Sequence, residues 1–214
     1  MGVGLEPYAS VEAFKTAVEL STAASVAEVD AALVQASRII DRRLGRPAGA
    51  FNRTSTAEVR YFTGSGKSRL RLRNVDGMHT LLSVSTDGIA VDTENDGTYD
   101  GAVFDPATET WAQLVGSAPH EALELRSWTA NTVLTSWPQY AAGVRITGIW
   151  GYESVPEEIA ALTVKIARDL RDSLRLGARG DAQVLDSGVV IRDETWRVWR
   201  DIEAAYDRSL PGFA

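Results

Sequence analysis

Cysteine is absent from the 214 residues of this chain. This absence excludes a disulfide framework, a thiol nucleophile and a zinc site built on thiolates. Histidine is scarce as well: His79 and His120 are the only two, and neither has a Ser, Asp or Glu at a spacing typical of a catalytic pair. The sequence therefore predicts no catalytic residue, no metal ligand and no cofactor.

Long apolar runs and a signal peptide are also missing. No apolar run approaches the ~18 residues that a membrane-spanning helix needs, and residues 1–10 have neither a basic start nor an apolar stretch. We therefore expect a protein that is intracellular or is assembled inside the cell, without a membrane contact. The formal net charge of −7 argues against a general nucleic-acid binder held by phosphate contacts.

Apolar residues at three- and four-residue steps predict helices near the start of the chain. Ser10 is placed to cap a short first helix, and Ser25 with Glu28 forms a capping-box pattern for a longer second helix. The apolar stripe of the second helix consists of Val26, Val29, Leu33, Ala36, Ile40 and Leu44.

Two more helices are predicted near the end of the chain. One follows Pro156 and ends at Gly177, and the last extends over about residues 193–208. The residues between them, 176–188, are rich in Gly, Asp and Ala and predict a loop. The stripe of the third helix consists of Ile159, Leu162, Ile166, Leu170 and Leu174.

Between the helices, apolar and polar residues alternate with a period of two, which predicts six or seven short strands. Asp87-Gly88 predicts a two-residue hairpin turn within this region. The predicted strands are 56–63, 68–73, 81–86, 89–92, 99–104, 121–126 and 144–150.

Helices, then strands, then helices give a prediction for the whole fold. We expect an α+β protein in which residues 1–50 and residues 152–214 together form a helical core. Residues 51–151 are expected to form an inserted, small antiparallel β sandwich or barrel.

Residues 64–73 combine a glycine-rich turn with a basic strand. Gly64-Ser65-Gly66-Lys67-Ser68 has part of a phosphate-binding loop pattern, but the glycine that the pattern needs five residues before its Gly-Lys-Ser is Tyr61. An alternating strand follows instead of a helix, so we predict a hairpin turn. Arg69, Arg71 and Arg73 on the solvent face of that strand are typical of edge protection.

Residues 92–97 resemble the start of a calcium loop, with side-chain oxygens at alternate positions before Gly97 and Asp100 further on. The acidic residue expected at the twelfth position is Val103, and the flanking residues predict strands instead of helices. We predict an acidic hairpin tip, and adventitious calcium binding at residues 92–100 stays open.

Tryptophan marks two surfaces that could bind a partner. On the last helix, Trp196, Trp199, Ile202 and Tyr206 share one face, which is more often core than contact. In the predicted β region, Trp111, Trp128 and Trp137 lie outside the helices. Aromatic rings stack on sugars, so one alternative is a β-sandwich module that binds carbohydrate or another surface ligand through these three residues.

Several segments, in order along the chain, resemble the head–tail connector (adaptor) family of tailed bacteriophages, the ring proteins seated beneath the portal. The resemblance covers about residues 8–177, and its clearest part is Ile146-Thr147-Gly148-Ile149-Trp150-Gly151-Tyr152 followed by Val155-Pro156. The other segments are Tyr8 to Phe14, Ala36-Ser37-Arg38-Ile39-Ile40-Asp41 with Leu44-Gly45-Arg46, and Arg60-Tyr61-Phe62-Thr63-Gly64.

This resemblance implies a structural virion protein without enzymatic activity, present in the host cytoplasm during assembly and at the head–tail interface of the virion. It implies a closed ring of about twelve copies. The implied neighbours are the portal protein above and the next connector, stopper or tail-completion protein below, with genomic DNA passing through the ring without sequence-specific binding. The acidic composition is compatible with this passage because it repels phosphate.

A portal interface is the site that this resemblance suggests for the last helix and the tail that follows it. An aromatic helix at a chain end is a convenient docking element. We therefore expect the removal of residues 196–214 to leave a soluble fold and to abolish portal binding. The predicted interface residues are Trp196, Trp199, Ile202, Tyr206 and Phe213.

Overall fold

The computed structural model describes residues 6–18, 25–99, 102–104, 112–125, 134–176, 182–184 and 190–206. The α+β class predicted from the sequence is confirmed. In chain order the elements are α1 (Val11–Ala17), α2 (Val26–Arg43), β1 (Glu58–Phe62), β2 (Arg69–Arg71), β3 (Arg73–Asn74), β4 (Gly77–Met78), β5 (Leu81–Val91), β6 (Ala102–Phe104), β7 (Ala112–Leu114), β8 (Ala122–Leu125), β9 (Val144–Trp150), α3 (Glu157–Leu176), β10 (Ala182–Val184), β11 (Val190–Arg192) and α4 (Asp193–Tyr206).

The chain divides into two compact units, which we call the helical unit and the β unit. The helical unit consists of residues 1–49 and 155–214, and the β unit consists of residues 50–154. The boundaries predicted from the sequence lay after residues 50 and 151. Within the described residues, no helix combines the length and the apolar composition that a membrane crossing requires.

The first two helices of the helical unit begin where the sequence predicted. The Ser10 hydroxyl accepts the N–H of Ala13 at 3.1 Å, and the Ser25 hydroxyl accepts the N–H of Glu28 at 3.2 Å. Helix α2 packs against α3, and α1 packs against α2. The predicted stripe of α2 is buried apart from Val26, which is 58% exposed because it occupies the first turn. The described stripe side chains of α3, Ile159, Leu162, Ile166 and Leu170, are buried as predicted.

Two antiparallel sheets build the β unit. One has the strand order β1-β9-β5-β6 and the other β2-β8-β7, and β3 pairs with β4 separately. Both larger sheets contribute to one apolar core, as a two-layer arrangement of half-buried sheets requires. The core consists of Phe62, Leu70, Leu72, Leu81, Ile89, Val91, Ala112, Leu123, Leu125, Trp137, Val144, Ile146 and Trp150.

The hairpin predicted at Asp87-Gly88 is wrong. Residues 81–91 form one strand, β5, and both of its halves pair with the same neighbour, β9. The register shifts between Val84, opposite Gly148, and Ile89, opposite Ile146, so the Asp-Gly pair lies in a bulge. Burying Leu81 and Ile89 in one core was the stronger requirement, and the positive φ of 51° at Asp87 shapes the bulge instead of a turn.

Two further expectations need correction. The predicted strand 68–73 is interrupted at Leu72, whose N–H pairs with Glu121 and whose carbonyl accepts from His79, so that Arg73 begins the separate strand β3. The region 176–188, predicted as a loop, contains β10, which pairs with β11. Strands of two or three residues are too short to show a period of two, and the sequence pattern therefore missed them.

Candidate functional site

Helix α4 carries four of the five residues predicted to form a partner-binding surface. Trp199 and Ile202 are buried, with exposed fractions of 1% and 6%. Trp196 and Tyr206 are half-buried. Phe213 lies outside the described residues. The side chains of Trp199 and Ile202 therefore belong to the core of the helical unit, and a partner that leaves this core intact cannot touch them.

Two polar contacts hold α4 against α3 in the antiparallel direction. Near the start of α4, the Lys165 ammonium donates to Glu194 at 3.1 Å. At its far end, the Tyr206 hydroxyl donates to the Glu158 carboxylate. The hydrogen bond from Tyr206 lowers the pKa of Glu158, and the hydrogen bond from Lys165 together with its charge lowers the pKa of Glu194. The half-buried position of Tyr206 thus has a structural explanation.

Arg192, the last residue of β11, fixes the point at which α4 begins. Its backbone N–H donates to Asp169 at 3.0 Å, and its guanidinium lies 3.4 Å from the other oxygen of the same carboxylate. The guanidinium also donates to Asp172. Asp169 is buried, so its carboxylate depends on these donors. We infer that Asp169 positions the first turn of α4 on α3.

The Arg43 guanidinium, at the end of α2, lies over the two tryptophans of α4. Its central carbon is 5.2 Å from the Trp196 ring centroid and 5.9 Å from the Trp199 ring centroid. Such cation–π contacts contribute about 0.5–2 kcal/mol. This contact covers part of the half-buried Trp196. The exposed face of α4 lies beside it. The exposed residues of that face are Arg197, Arg200, Asp201, Ala204 and Ala205.

A second cluster in the helical unit joins Tyr8 to α2. The Tyr8 N–H donates to the Ser37 hydroxyl at 3.0 Å, and its own hydroxyl donates to Asp41. Asp41 also accepts from Arg38 at 2.6 Å and from the N–H of Gly49 at 2.9 Å. Burial raises the pKa of Asp41, although the hydrogen bonds from these donors oppose that shift. The cluster ties the segments before α1 and after α2 to the middle of α2.

In the β unit, Arg60 and His79 form a polar cluster beside Trp150. One Arg60 nitrogen lies 2.5 Å from Nδ1 of His79, and another donates to Glu58 at 3.1 Å. Nε2 of His79 lies 2.7 Å from the side-chain oxygen of Asn74. The Arg60 guanidinium also lies 4.6 Å from the Trp150 ring centroid. Burial lowers the pKa of Arg60, and Glu58 opposes this shift. Both ring nitrogens of His79 are thus used to hold strands together.

Sequence analysis missed these polar anchors, although two of them left a signal. Leu33, Ser37 and Asp41 recur at four-residue steps, so the two polar residues continue a buried helical face. Asp169 likewise lies three residues after Ile166 on the apolar stripe of α3. A polar residue on an apolar stripe predicts a buried hydrogen-bonding partner. The pairing of Arg60 with His79 left no such signal because it depends on strand order.

In the segment that resembles a calcium loop, residues 92–97, backbone N–H groups donate to the first carboxylate. The Asp92 carboxylate accepts N–H groups from Asn95 at 2.7 Å, Gly97 at 2.9 Å and Glu94 at 3.1 Å. Desolvation raises the pKa of Asp92, but these hydrogen bonds outweigh it and leave the pKa lowered. No group of three or more acidic or histidine side chains within the described residues is placed to hold a metal ion. The predicted acidic tip therefore has a structural basis, and its first carboxylate points toward N–H donors.

Trp137, one of the three tryptophans of the carbohydrate alternative, is fully buried. Its indole N–H donates to the Ser68 carbonyl at 2.7 Å, and its backbone bonds the Gly64–Ser68 turn at Gly66 and Lys67. Its ring cannot stack on a sugar in this position. Trp111 and Trp128 lie outside the described residues.

The Gly64–Ser68 segment is followed by strand β2 and not by the helix that a phosphate-binding loop needs. The hairpin predicted there is wrong, because β1 pairs with β9 and β2 pairs with β8 in a separate sheet. A Cβ at Gly64 would lie 2.5 Å from the Pro138 carbonyl oxygen and 2.6 Å from Trp137 Cβ, so close packing explains this glycine. The glycines of the turn thus serve the core of the β unit.

Comparison of the chain with protein-family models finds no family that matches, and none of the curated proteins matches it significantly.

Proposed function

We propose that this protein is a structural head–tail connector of a tailed bacteriophage virion. Copies form a closed ring of about twelve that joins the portal to the next connector, stopper or tail-completion protein and lets DNA pass. The observation that carries this proposal is that, within each unit, the segments behind the resemblance contact one another: Tyr8 contacts the segment 36–41, and the segment 60–64 contacts the segment 146–152.

In the helical unit, the segment at Tyr8 meets the segment 36–41. Both polar groups of Tyr8 bond to that segment, one to Ser37 and one to Asp41. The two segments are 29 and 33 residues apart along the chain at these contacts. The residues that carry the resemblance here are therefore the ones that define how the N-terminal segment docks on α2.

In the β unit, the segment Arg60–Gly64 lies beside the segment 146–152. Arg60 is opposite Ile146 in the β1–β9 register, and the rings of Phe62 and Trp150 lie 5.6 Å apart. A Cβ at Gly148 would lie 2.3 Å from the Ser83 carbonyl oxygen, and one at Gly151 would lie 1.9 Å from the Asn52 carbonyl oxygen. Both glycines of the most specific segment are thus required by close backbone contacts.

Within this proposal, the portal contact on α4 uses the accessible parts of the half-buried Trp196 and Tyr206 and the charged face between them. Trp199 and Ile202 support that face from beneath. The face presents Arg197 and Arg200 beside Asp201, a mixed surface of the kind found at polar rims of interfaces. Aromatic and arginine side chains are the residue types most often found at binding hot spots.

Native mass spectrometry tests the proposal, first with the purified protein alone and then after mixing with candidate portal rings. We expect the protein to join a portal ring in a multiple that matches the ring symmetry, and we expect purified virions to contain the chain. A virion free of this chain would contradict the connector proposal outright. Glycan-array binding that is lost on Trp111→Ala or Trp128→Ala would instead support the carbohydrate alternative.

The α4 face is tested with the double variant Arg197→Glu/Arg200→Glu in the same experiment. Both side chains are exposed, so the fold is expected to survive, and binding to the portal is expected to fall by at least tenfold. The matched control is Arg42→Glu/Arg53→Glu, which makes the same change in charge at two exposed arginines outside α4. Equal loss of binding in both variants would assign the effect to net charge and would contradict an α4 interface.

A further inference from the structure

Charge is strongly segregated along this chain. Residues 59–75 contain one lysine and four arginines and no acidic residue, whereas the whole chain has a formal net charge of −7. The remainder of the chain therefore has a formal charge of −12. Such asymmetry within an acidic protein indicates a local function for the basic segment that the net charge does not reveal.

Three of these cations alternate with buried leucines along the chain, and we call them the arginine row: Arg69 and Arg71 on β2, and Arg73 at the start of β3. All three side chains are exposed, while Leu70 and Leu72 between them are buried in the core of the β unit. Alternate residues of a strand lie about 6.6 Å apart, so the row is at most about 13 Å long. Lys67 is exposed just before it.

The backbone beneath the arginine row is held at both ends. The Ser68 carbonyl accepts from the Leu125 N–H at 2.8 Å and from the Trp137 indole at 2.7 Å. At the other end, the Leu72 N–H donates to the Glu121 backbone carbonyl at 2.9 Å, and the Leu72 carbonyl accepts from the backbone N–H of His79 at 2.7 Å. The backbone from Ser68 to Leu72 is therefore hydrogen-bonded before any ligand binds, and Arg73 continues into β3, which pairs with β4.

The charge of the arginine row is not neutralised within the part of the chain that the structure describes. Arg38, Arg53 and Arg192 each have a carboxylate partner within 4 Å, but no ion pair there involves a member of the row. The carboxylate that faces the row most directly is Glu124, opposite Arg69 across the β2–β8 pair. One facing carboxylate leaves most of the positive charge available.

We propose that the arginine row binds the phosphate backbone of double-stranded DNA without reading its sequence. A duplex carries one negative charge per about 1.7 Å of its axis, so about 13 Å of duplex carry about eight phosphates, and those on the facing side suffice for a row of three guanidinium groups. Guanidinium groups match phosphate oxygens in geometry and remain charged at every physiological pH. The acidic remainder of the chain keeps the contact weak, which suits a strand over which DNA slides. This goes beyond the proposed connector function, which requires DNA to pass but not to touch these residues.

The test is the fluorescence anisotropy of a labelled 30-base-pair DNA duplex of arbitrary sequence, titrated with the isolated protein between 50 and 200 mM salt. With about 0.9 counterions released per phosphate contact, three contacts predict a log–log salt slope near −2.7 and an affinity loss of about 40-fold over this range. The triple variant Arg69→Gln/Arg71→Gln/Arg73→Gln is expected to lose this slope and to bind at least tenfold more weakly at 50 mM salt.

The matched control is Arg42→Gln/Arg53→Gln/Arg168→Gln, which removes the same charge from three exposed arginines outside the row. It is expected to bind DNA within about threefold of the unchanged protein. Equal weakening of the two triple variants, or an unchanged protein that fails to bind at 50 mM salt, overturns the proposal. A row variant that binds DNA normally but alters self-association in sedimentation would show that the row faces a second copy, which also overturns it. No portal is present in this assay, so its result is independent of the connector test.

Discussion

Nδ1 of His79 accepts a hydrogen bond from the Arg60 guanidinium across 2.5 Å. Because a guanidinium has no acceptor, this contact fixes His79 as the neutral ring with its proton on Nε2, and that N–H donates to Asn74. The ring also lies edge-on to Trp150, with 6.0 Å between centroids. One buried imidazole thus links β1, β3 and β9.

Replacing His79 is expected to destabilise the β unit. His79→Ala removes the acceptor of a partly buried guanidinium and the packing against Trp150, so we expect the free energy of unfolding to fall by about 3 kcal/mol. Urea unfolding followed by tryptophan fluorescence measures this change. His120→Ala is the control, because the backbone bonds of His120 to Leu81 remain, and its cost is expected to be about 1 kcal/mol or less. Equal costs would contradict a special role for His79.

The buried Asp41 is expected to make stability depend on pH in an unusual direction. Its pKa is raised in the folded protein, so the protonated carboxyl favours folding below the unfolded pKa of about 4, and this contribution is lost as pH rises through the folded pKa. Asp41→Asn has no such titration. The difference in unfolding free energy, variant minus unchanged protein, should therefore increase from pH 4 upward. Unfolding curves at several pH values measure it, and a difference that stays constant or decreases would contradict the raised pKa.

The helices were predictable from the sequence, because their apolar stripes repeat over many residues and their caps depend on neighbouring residues. The apolar stripes of α2 and α3 and the caps at Ser10 and Ser25 depend on local spacing, and the structure confirms them. The hairpin at Asp87-Gly88 failed because a local turn signal competed with the burial of Leu81 and Ile89 beside one partner strand. Strand order is a property of the whole β unit, and no local pattern contains it.

For the candidate interface on α4, the sequence likewise predicted the helix but not its surroundings in the fold. The spacing of Trp196, Trp199, Ile202 and Tyr206 predicts that they share a helical face, but it does not say whether that face meets core or solvent. The decisive information is that α3 and Arg43 occupy the position opposite Trp199. The arginine row was visible as a pattern, whereas the position of Glu124, the carboxylate that faces it, depends on which strand lies beside β2.

Calcium is expected to have no effect on the tip at Asp92. Its carboxylate oxygens already accept backbone N–H groups, and a cation would have to displace those donors. Differential scanning calorimetry should therefore give the same unfolding temperature with and without millimolar calcium. A rise that Asp92→Asn removes would contradict this prediction. Glu153→Gln, which changes an exposed acidic residue away from the loop, controls for general charge effects.

Substitutions of Trp199 and Trp196 are expected to affect different properties: the first stability, the second mainly portal binding. Trp199→Ala removes a fully buried side chain, and we expect it to lower the free energy of unfolding by about 3–5 kcal/mol. Trp196→Ala removes a half-buried ring and its contact with Arg43, and we expect a cost of about 1–2 kcal/mol.

Because Trp199 is part of the core, removal of residues 196–214 should destabilise the helical unit, contrary to the expectation drawn from the sequence. Urea unfolding and portal co-sedimentation, measured on both variants, decide the question. A Trp196→Ala protein that remains folded and loses portal binding would support the α4 interface. Full portal binding by that variant would exclude Trp196 from it.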